Sequence, residues 1–360
     1  MKLLMITRKV DKNDSHAGFT YGWVDKIARA VDELFVICLS KGETMGLPEN
    51  VKIYSLGKET GAGRLKRFIR FSLLALKLVP KVDGIFCHMN PEYTIAVWPA
   101  ALLFRKKIVS WYTHKSVTWK TKLLVKMSDK ILTASKESFR LLDSEGDPPE
   151  RGRLKYKVQI TGHGIETDRF RPDEISQHTD EKFKILTIGR ISPSKDYESL
   201  IKGVNTLVDR GVNTIFVQII GGPAIDTDKQ YFDSLKMMVK NMKLENYLEF
   251  VGPVPNNEIA PYLQQADLFV NLSQTGSVDK AVLEAMACGC LCLTSNVAFI
   301  KIVGEDFMVK ENDPVHLAEK IKLVMDLPTE QKKEISERFR QIIIHQHNLD
   351  NLVKKIIACY

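Results

Sequence analysis

Side chains able to do chemistry gather in four short stretches, each directly behind an apolar run of strand length. In "LTIGRISPSKDYESLI" (Leu186 to Ile201), Arg190 follows a glycine and Lys195 falls five residues on, at the edge of a helix. Two cations fixed on one loop before a helix N-terminus suit a diphosphate, the arginine as a bidentate fork and the lysine as a point charge. In "NLSQTGSVDKAVLEAMACGCLCLTSN" (Asn271 to Asn296), the loop Thr275, Gly276, Ser277 carries little side chain, so its backbone N–H groups can face an anion. Glu284 is the lone carboxylate of the apolar helix that follows, about two turns in. An acid held among apolar neighbours needs partners, and the hydroxyls of a ribose-like diol would supply them. "WYTHKS" sets His114 after a strand, where imidazole can exchange hydrogen bonds with a substrate hydroxyl. "SHAGFTYG" offers Gly18 and Gly22, which let backbone approach a ligand. A plain structural reading stands beside each: solvated cations, a lysine-capped acid, a packed histidine, a turn.

The elements that must position these loops repeat one pattern, a short apolar strand followed by a helix. Strands are predicted at "KLLMIT", "LFVICLS", "GIFCHM", "KIVSWY" and "KILTAS" in the first half, and at "FKILTIG", "TIFVQIIG", "LEFVGP", "DLFVNLS" and "CLCLTSN" in the second. Strands alternating with helices predict parallel sheets covered on both faces, hence an α/β chain with two Rossmann-like, doubly wound domains. A length of 360 residues suits two such domains. Charge, glycine and proline interrupt the pattern near "VQITGHGIETDRFRPDEISQHTDEKF", which puts the expected domains at 1–165 and 166–340. The last stretch, 341–360, ends in the amphipathic "HNLDNLVKKIIACY" and is expected to pack back on the first domain. Ligands of such sheets bind at the carboxyl ends of the strands, so the expected site is a cleft between two facing domains.

Composition narrows the class. An apolar fraction of 44% and a charged fraction of 27% fit a globular protein. The net charge of +8 is uneven: residues 1–160 hold 29 Lys and Arg against 16 Asp and Glu, and residues 161–360 hold 23 against 28. The first half is thus attractive to an anionic ligand or surface. "GRLKRFIRFSLLALKLVPKV" (Gly63 to Val82) concentrates that charge and reads either as a helix lying on anionic lipid headgroups or as an ordinary surface helix with a solvated basic face. No nucleic-acid motif accompanies the charge. The six cysteines form no pair of CxxC motifs and read as buried thiols in a reducing, cytoplasmic setting. "YTIAVWPAALLF" is too short to span a bilayer and reads as a buried helix, and "MKLLMITRK" reads as a first strand rather than a leader.

Together these stretches resemble the retaining glycosyltransferases of family 4, in the GT-B architecture. The resemblance covers nearly the whole chain and is strongest from Ile185 to Asn296: the Gly-Arg loop with its following lysine, "VGPVPNNEIAPYLQQADLFVNLS", and above all "LEAMACG". "GHGIETDRF" is similar to the family's linker motif, with His163 where Asn is commoner. The resemblance implies that Arg190 and Lys195 bind the diphosphate of a nucleotide-sugar donor and that Glu284 holds its ribose. It implies that Val251, Gly252 and Pro253 present backbone to the base, that Gly18 sets an amide near the phosphates, and that His114 sits beside the transferred sugar. It implies metal-independent transfer to a glycan or lipid-linked acceptor with no cofactor, in keeping with an expected absence of any Asp-x-Asp motif; the charge of the first half suits an acceptor borne at the cytoplasmic face of an anionic membrane. One departure is visible: the family has a second glutamate eight positions before the ribose-binding one, and here that position is Gly276. Asp279 from a shifted position, or Lys280, would then meet the donor sugar. Two other readings stay open, a catalytically silent nucleotide-sugar-binding protein and a GT-B nucleotide-sugar epimerase using Asp14, His16, His114 or Asp279.

Overall fold

The computed structural model describes residues 1–142, 156–173, 182–274 and 276–360. The chain divides into two compact units, one made of residues 1–166, 255–257 and 346–360, the other of 167–254 and 258–345.

Seven strands form the sheet of unit 1: β1 (Lys2–Val10), β2 (Glu33–Lys41), β3 (Val51–Ser55), β4 (Gly84–His88), β5 (Lys107–Trp111), β6 (Lys130–Thr133) and β7 (Val158–Ile160). They lie in the order β3-β2-β1-β4-β5-β6-β7, all parallel. Alternation along a strand sends successive side chains to opposite faces. Leu3 and Met5 of β1 accordingly join a core with Trp23, Val24 and Ile27 of the helix Phe19–Arg29. Leu4 and Ile6 join another with Phe71, Ala75 and Leu78 of the helix Arg64–Leu78 and with Val97 and Ala100 of the helix Pro91–Leu103. Both faces are covered, which is why the central strands read as continuous apolar runs. The edge strands β3 and β7 escaped the sequence reading; they are only part-buried, so their apolar signal is thin.

The helix Leu349–Ile357 belongs to unit 1. Leu349, Leu352, Val353 and Ile356 are buried in the core formed with Trp23 and Met5. At roughly 1.5–3 kcal/mol for each large apolar side chain, that seam contributes on the order of 6–12 kcal/mol as an upper bound. Asn348 caps the helix by accepting from the Asn351 N–H, and Lys26 pairs with Asp350 at 2.9 Å.

Unit 2 holds β8 (Phe183–Ile188), β9 (Ile215–Ile220), β10 (Leu248–Gly252), β11 (Leu268–Asn271) and β12 (Leu291–Thr294), in the order β10-β9-β8-β11-β12, all parallel. The chain winds outwards from β8 to β10, then crosses to the other side of β8 for β11. The loops leaving β8 and β11 therefore part at the point where the strand order reverses, the place where open parallel sheets bind ligands. Gly221 lets the ends of β8 and β9 close up there: its φ is +141°, and a Cβ would run into the Gly189 carbonyl.

Cys38, Cys87, Cys288, Cys290 and Cys292 are buried free thiols, and burial pushes Cys288 up to about 12. Among the described residues no helix is long and apolar enough to cross a membrane, and no cluster of three potential metal ligands occurs.

Candidate donor site on the second unit

Each strand of unit 2 from β8 to β11 delivers a loop to the carboxyl edge, and Arg190, Lys195, the turn at Val251, Gly252 and Pro253, and Asp279 lie on those loops. Gly189 ends β8 and is pinned by its N–H to the Ile220 carbonyl at 3.0 Å. The chain then turns through Arg190 to a short 3-10 turn, Pro193–Lys195, and Asp196 starts the helix Tyr197–Asp209 in a left-handed conformation, its carboxylate accepting from the Ser199 N–H. Lys195 is thereby fixed just ahead of a helix. On the far side of the switch point, the loop after β11 is tied to the Lys195 loop by the Gln274 N–H, which donates to the Ser194 carbonyl at 3.2 Å. It is tied to β12's exit by Asn296, whose Nδ2 donates to the Ser277 carbonyl at 2.8 Å. Gly276 is buried at a φ of +62°, a conformation that costs a non-glycine residue roughly 1–2 kcal/mol.

The charged groups brought together form two contacts. Lys195 Nζ is paired with Asp279 Oδ2, both side chains largely buried, and Asn271 Nδ2 donates to the same oxygen at 3.2 Å. Burial alone would push the Asp279 carboxyl up; the Lys195 charge and hydrogen bonds from Lys195, Asn271 and the Ala281 N–H overcome it and hold it below the usual carboxylate range. Asp279 thus braces Lys195 across the switch point. Lys280 Nζ is paired with Glu284 Oε1 one turn along the helix Lys280–Ala287, and lies 5.7 Å from the centre of the Phe170 ring. Glu284 is 4% exposed and is the fifth residue of that helix, just past its first turn and nearer the N-terminus than the two turns expected. Cys288 caps the helix and Gly289 turns the chain away at a φ of +87°.

Arg190 differs from Lys195. It is half-exposed, and its nearest acid is the buried Asp228, Nε to Oδ2 at 3.8 Å, too long for a firm hydrogen bond. Asp228 also accepts from the Ala224 N–H at 3.3 Å and sits in the first turn of the helix Asp226–Asn241, where the helix dipole favours an anion. Asp226 and Asp228 do have Asp-x-Asp spacing, which corrects the expectation that the chain lacks such a motif. Asp226 points to solvent and pairs with Lys229 at 2.8 Å, so the two carboxylates serve different neighbours. At β10's end, Gly252 has a φ of +90° and open space around it, and its carbonyl accepts from the Gly221 N–H at 2.9 Å. Val251 and Pro253 flank it beside the Gly221–Gly222 turn. Asn271, Asp228 and Asn296 were missed by the sequence reading, because each acts through a loop that is distant in the chain.

Thr275 lies outside the described residues. Gly18 and His114 are on unit 1. Gly18 N–H donates to the Asp14 carbonyl at 3.0 Å, so that amide already has a partner, and the space a Cβ would need is taken by the same carbonyl and Asn256. At Gly22 the group that approaches is the Glu166 carboxylate of the chain itself. His114 follows β5, exposed, its ring edge-on to Tyr112 at 5.4 Å. Asp14, a candidate base for epimerisation, is engaged by Lys9 at 2.5 Å and by the N–H groups of His16 and Ala17, which fixes it as the brace of its own loop. The buried imidazole at unit 1's own switch point, between β1 and β4, is instead His88: Nδ1 bonds Thr7 at 3.0 Å, the ring lies against Trp23 and Trp111, and burial pushes it down to about 3.

Residues 168–356 match the family described as glycosyl transferases group 1. Among curated proteins, a chain from Escherichia coli (strain K12) named as a colanic acid biosynthesis glycosyltransferase, WcaL, is 25% identical over 208 residues, 55% of this chain and 49% of that one. The D-inositol 3-phosphate glycosyltransferase of Frankia alni is 25% identical over 211 residues, 53% of this chain and 51% of that one. The chain spans about half the length of the curated relatives it matches. Among solved structures, Anabaena Alr3699/HepE in complex with UDP aligns over 100% of this chain and 99% of its own with a TM-score of 0.78 at 15% identity. A sucrose-phosphate synthase of Thermosynechococcus elongatus aligns over 100% and 98% with a TM-score of 0.72 at 14% identity. With its seven- and five-stranded parallel sheets and a family match over more than half its length, the chain belongs to the glycosyl transferases group 1 family, in the GT-B fold.

Proposed function

We propose that the chain transfers a sugar, with retention of anomeric configuration and without a metal ion, from a nucleoside-diphosphate sugar to a glycan or lipid-linked acceptor. The observation that carries this reading is the meeting of Lys195, from behind β8, with Asp279 and the helix Lys280–Ala287, from behind β11, where the strand order reverses. In this reading Lys195, pre-placed by Asp279, and Arg190, loosely held and half-exposed, take the donor diphosphate. Glu284 grips the ribose while keeping Lys280, since a carboxylate offers about four acceptor positions. The turn at Val251, Gly252 and Pro253 meets the base, and the loop of Thr275, Gly276 and Ser277 meets phosphate and sugar. His114 and the Gly18 loop would serve the acceptor side on unit 1. A nucleotide-sugar ligand is supported by Anabaena Alr3699/HepE, which was crystallised with UDP-glucose.

As the bond between the anomeric carbon and the diphosphate oxygen breaks, the acceptor hydroxyl oxygen bonds to the same carbon from the same face and passes its proton to the departing diphosphate oxygen. Charge gathers on the leaving diphosphate, where Arg190, Lys195 and backbone N–H groups stabilise it. A second reading, a silent nucleotide-sugar binder, is favoured by Gly276 at the position where the family carries a carboxylate. Incubation with a panel of uridine and guanosine diphosphate sugars separates the two, with nucleoside diphosphate release as the readout. Transfer predicts consumption of one donor, slowed roughly 10²–10³-fold by Lys195→Ala. Saturable binding of a donor without any turnover, across the panel and a range of glycan and lipid acceptors, would select the silent binder.

A further inference from the structure

We propose that the outward face of the helix Arg64–Leu78 is a docking surface for an anionic lipid bilayer. A helix that covers a sheet normally buries one stripe and shows polar side chains opposite. This helix buries Phe71, Ala75 and Leu78, yet carries a second apolar stripe turned away from the core: Leu65 is 73% exposed, Phe68 60%, Ile69 51%, Leu73 64% and Leu76 49%. Their spacing of three and four residues aligns them along about three turns. Lys66, Arg70 and Lys77 run beside the stripe, Arg64 stands at its start, and the helix contains no acid. Glu59 faces Arg70, while Arg64, Lys66 and Lys77 make no ion pair among the described residues. The neighbouring helix Pro91–Leu103, packed on the same sheet face, ends with Leu102 and Leu103 exposed and Arg105 and Lys106 just beyond.

The chemistry of the occupant follows from this pairing. An apolar stripe with a cationic flank is complementary to acyl chains beneath anionic headgroups, the arrangement of helices that lie in the membrane interface. The excess of 29 basic over 16 acidic residues across 1–160 extends the attraction beyond the helix. The proposal is independent of the donor site on unit 2.

Vesicle flotation of the full chain at low salt tests it, comparing phosphatidylcholine alone with an equimolar mixture of phosphatidylcholine and phosphatidylglycerol. The wild type is expected to float with the mixed vesicles only. Phe68→Ser with Leu73→Ser should remain soluble in both, and because both side chains are exposed its thermal unfolding should match the wild type. Lys66→Gln with Lys77→Gln should bind roughly twenty-five-fold more weakly, at roughly fivefold per cation near the surface. A wild type that fails to float, or a serine variant that floats as well as the wild type, overturns the proposal. So does a dimer in vesicle-free solution that the serine variant dissociates, since the stripe would then be covered by a second copy.

Discussion

Arg190→Ala should weaken donor binding roughly thirtyfold and leave the free protein intact, a separation that follows from its surroundings. The side chain is 48% exposed and its contact with Asp228 is 3.8 Å long. Exposed pairs of this kind are worth about 0–1 kcal/mol, and Asp228 keeps its Ala224 hydrogen bond and its place at a helix start, so ligand-free stability should change by no more than ~0.5 kcal/mol. A charge-assisted hydrogen bond to phosphate is worth ~1.5–3 kcal/mol, so the diphosphate should bind roughly thirtyfold more weakly, taking ~2 kcal/mol as the middle of that range. At about 100 times the wild-type Kd, ligand adds ~2.7 kcal/mol to the wild type and only ~0.9 kcal/mol to the variant. For a domain of roughly 150–250 residues that is a midpoint shift of about 5–11 °C against about 2–4 °C. The assay is thermal unfolding with and without uridine and guanosine diphosphates. An undiminished ligand shift in the variant would remove Arg190 from the donor site. A large loss of ligand-free stability would show that the Asp228 contact is structural.

The remaining predictions concern groups whose roles differ. Glu284→Ala removes the ion pair with Lys280 and a buried carboxylate, and should cost about 1–3 kcal/mol before any ligand is added; denaturant midpoints should show it, and an unchanged midpoint would mean that Glu284 is held for ligand alone. Gly276→Ala should destabilise by about 1–2 kcal/mol because of its positive φ, and a neutral result in the same assay would contradict that conformation. His88 and His347 are pushed down by burial to about 3 and about 4, His347 further by the charge of Lys355. The unfolded chain therefore takes up protons first, and stability should fall as pH drops below about 6.5, at ~1.4 kcal/mol per unit for each histidine. Urea unfolding between pH 7 and 5 checks this ahead of any carboxylate, with His347→Asn expected to reduce the slope and a flat profile counting against it. Leu352→Ala in the seam of the last helix should cost about 2–5 kcal/mol in unit 1, and a smaller loss would mean that this helix is peripheral to the core.

Much of this was legible in the chain itself. The central strands were visible because parallel strands buried on both faces must be apolar throughout, as Leu3 to Ile6 and Leu268 to Val270 are. The loops behind them stood out because Arg190, Lys195 and Glu284 are charges in otherwise apolar or small-residue settings. The edge strands β3 and β7 were not legible, because a part-buried edge needs little apolar sequence. The helix at Tyr93, read as buried, shows its last two leucines to solvent.

Local sequence determined which residues are strand, helix or turn, since propensity, period and glycine placement act within a few neighbours. It could not say that Asp279, eighty-four residues from Lys195, would be that lysine's partner, or that Asp14 would bond to Lys9 and to the N–H groups of His16 and Ala17. Nor could it say which of two apolar stripes on the helix Arg64–Leu78 would enter the core, since both satisfy the same period. Those choices belong to the tertiary structure, because a pair of charges or a buried face exists only once strand order has brought distant segments together.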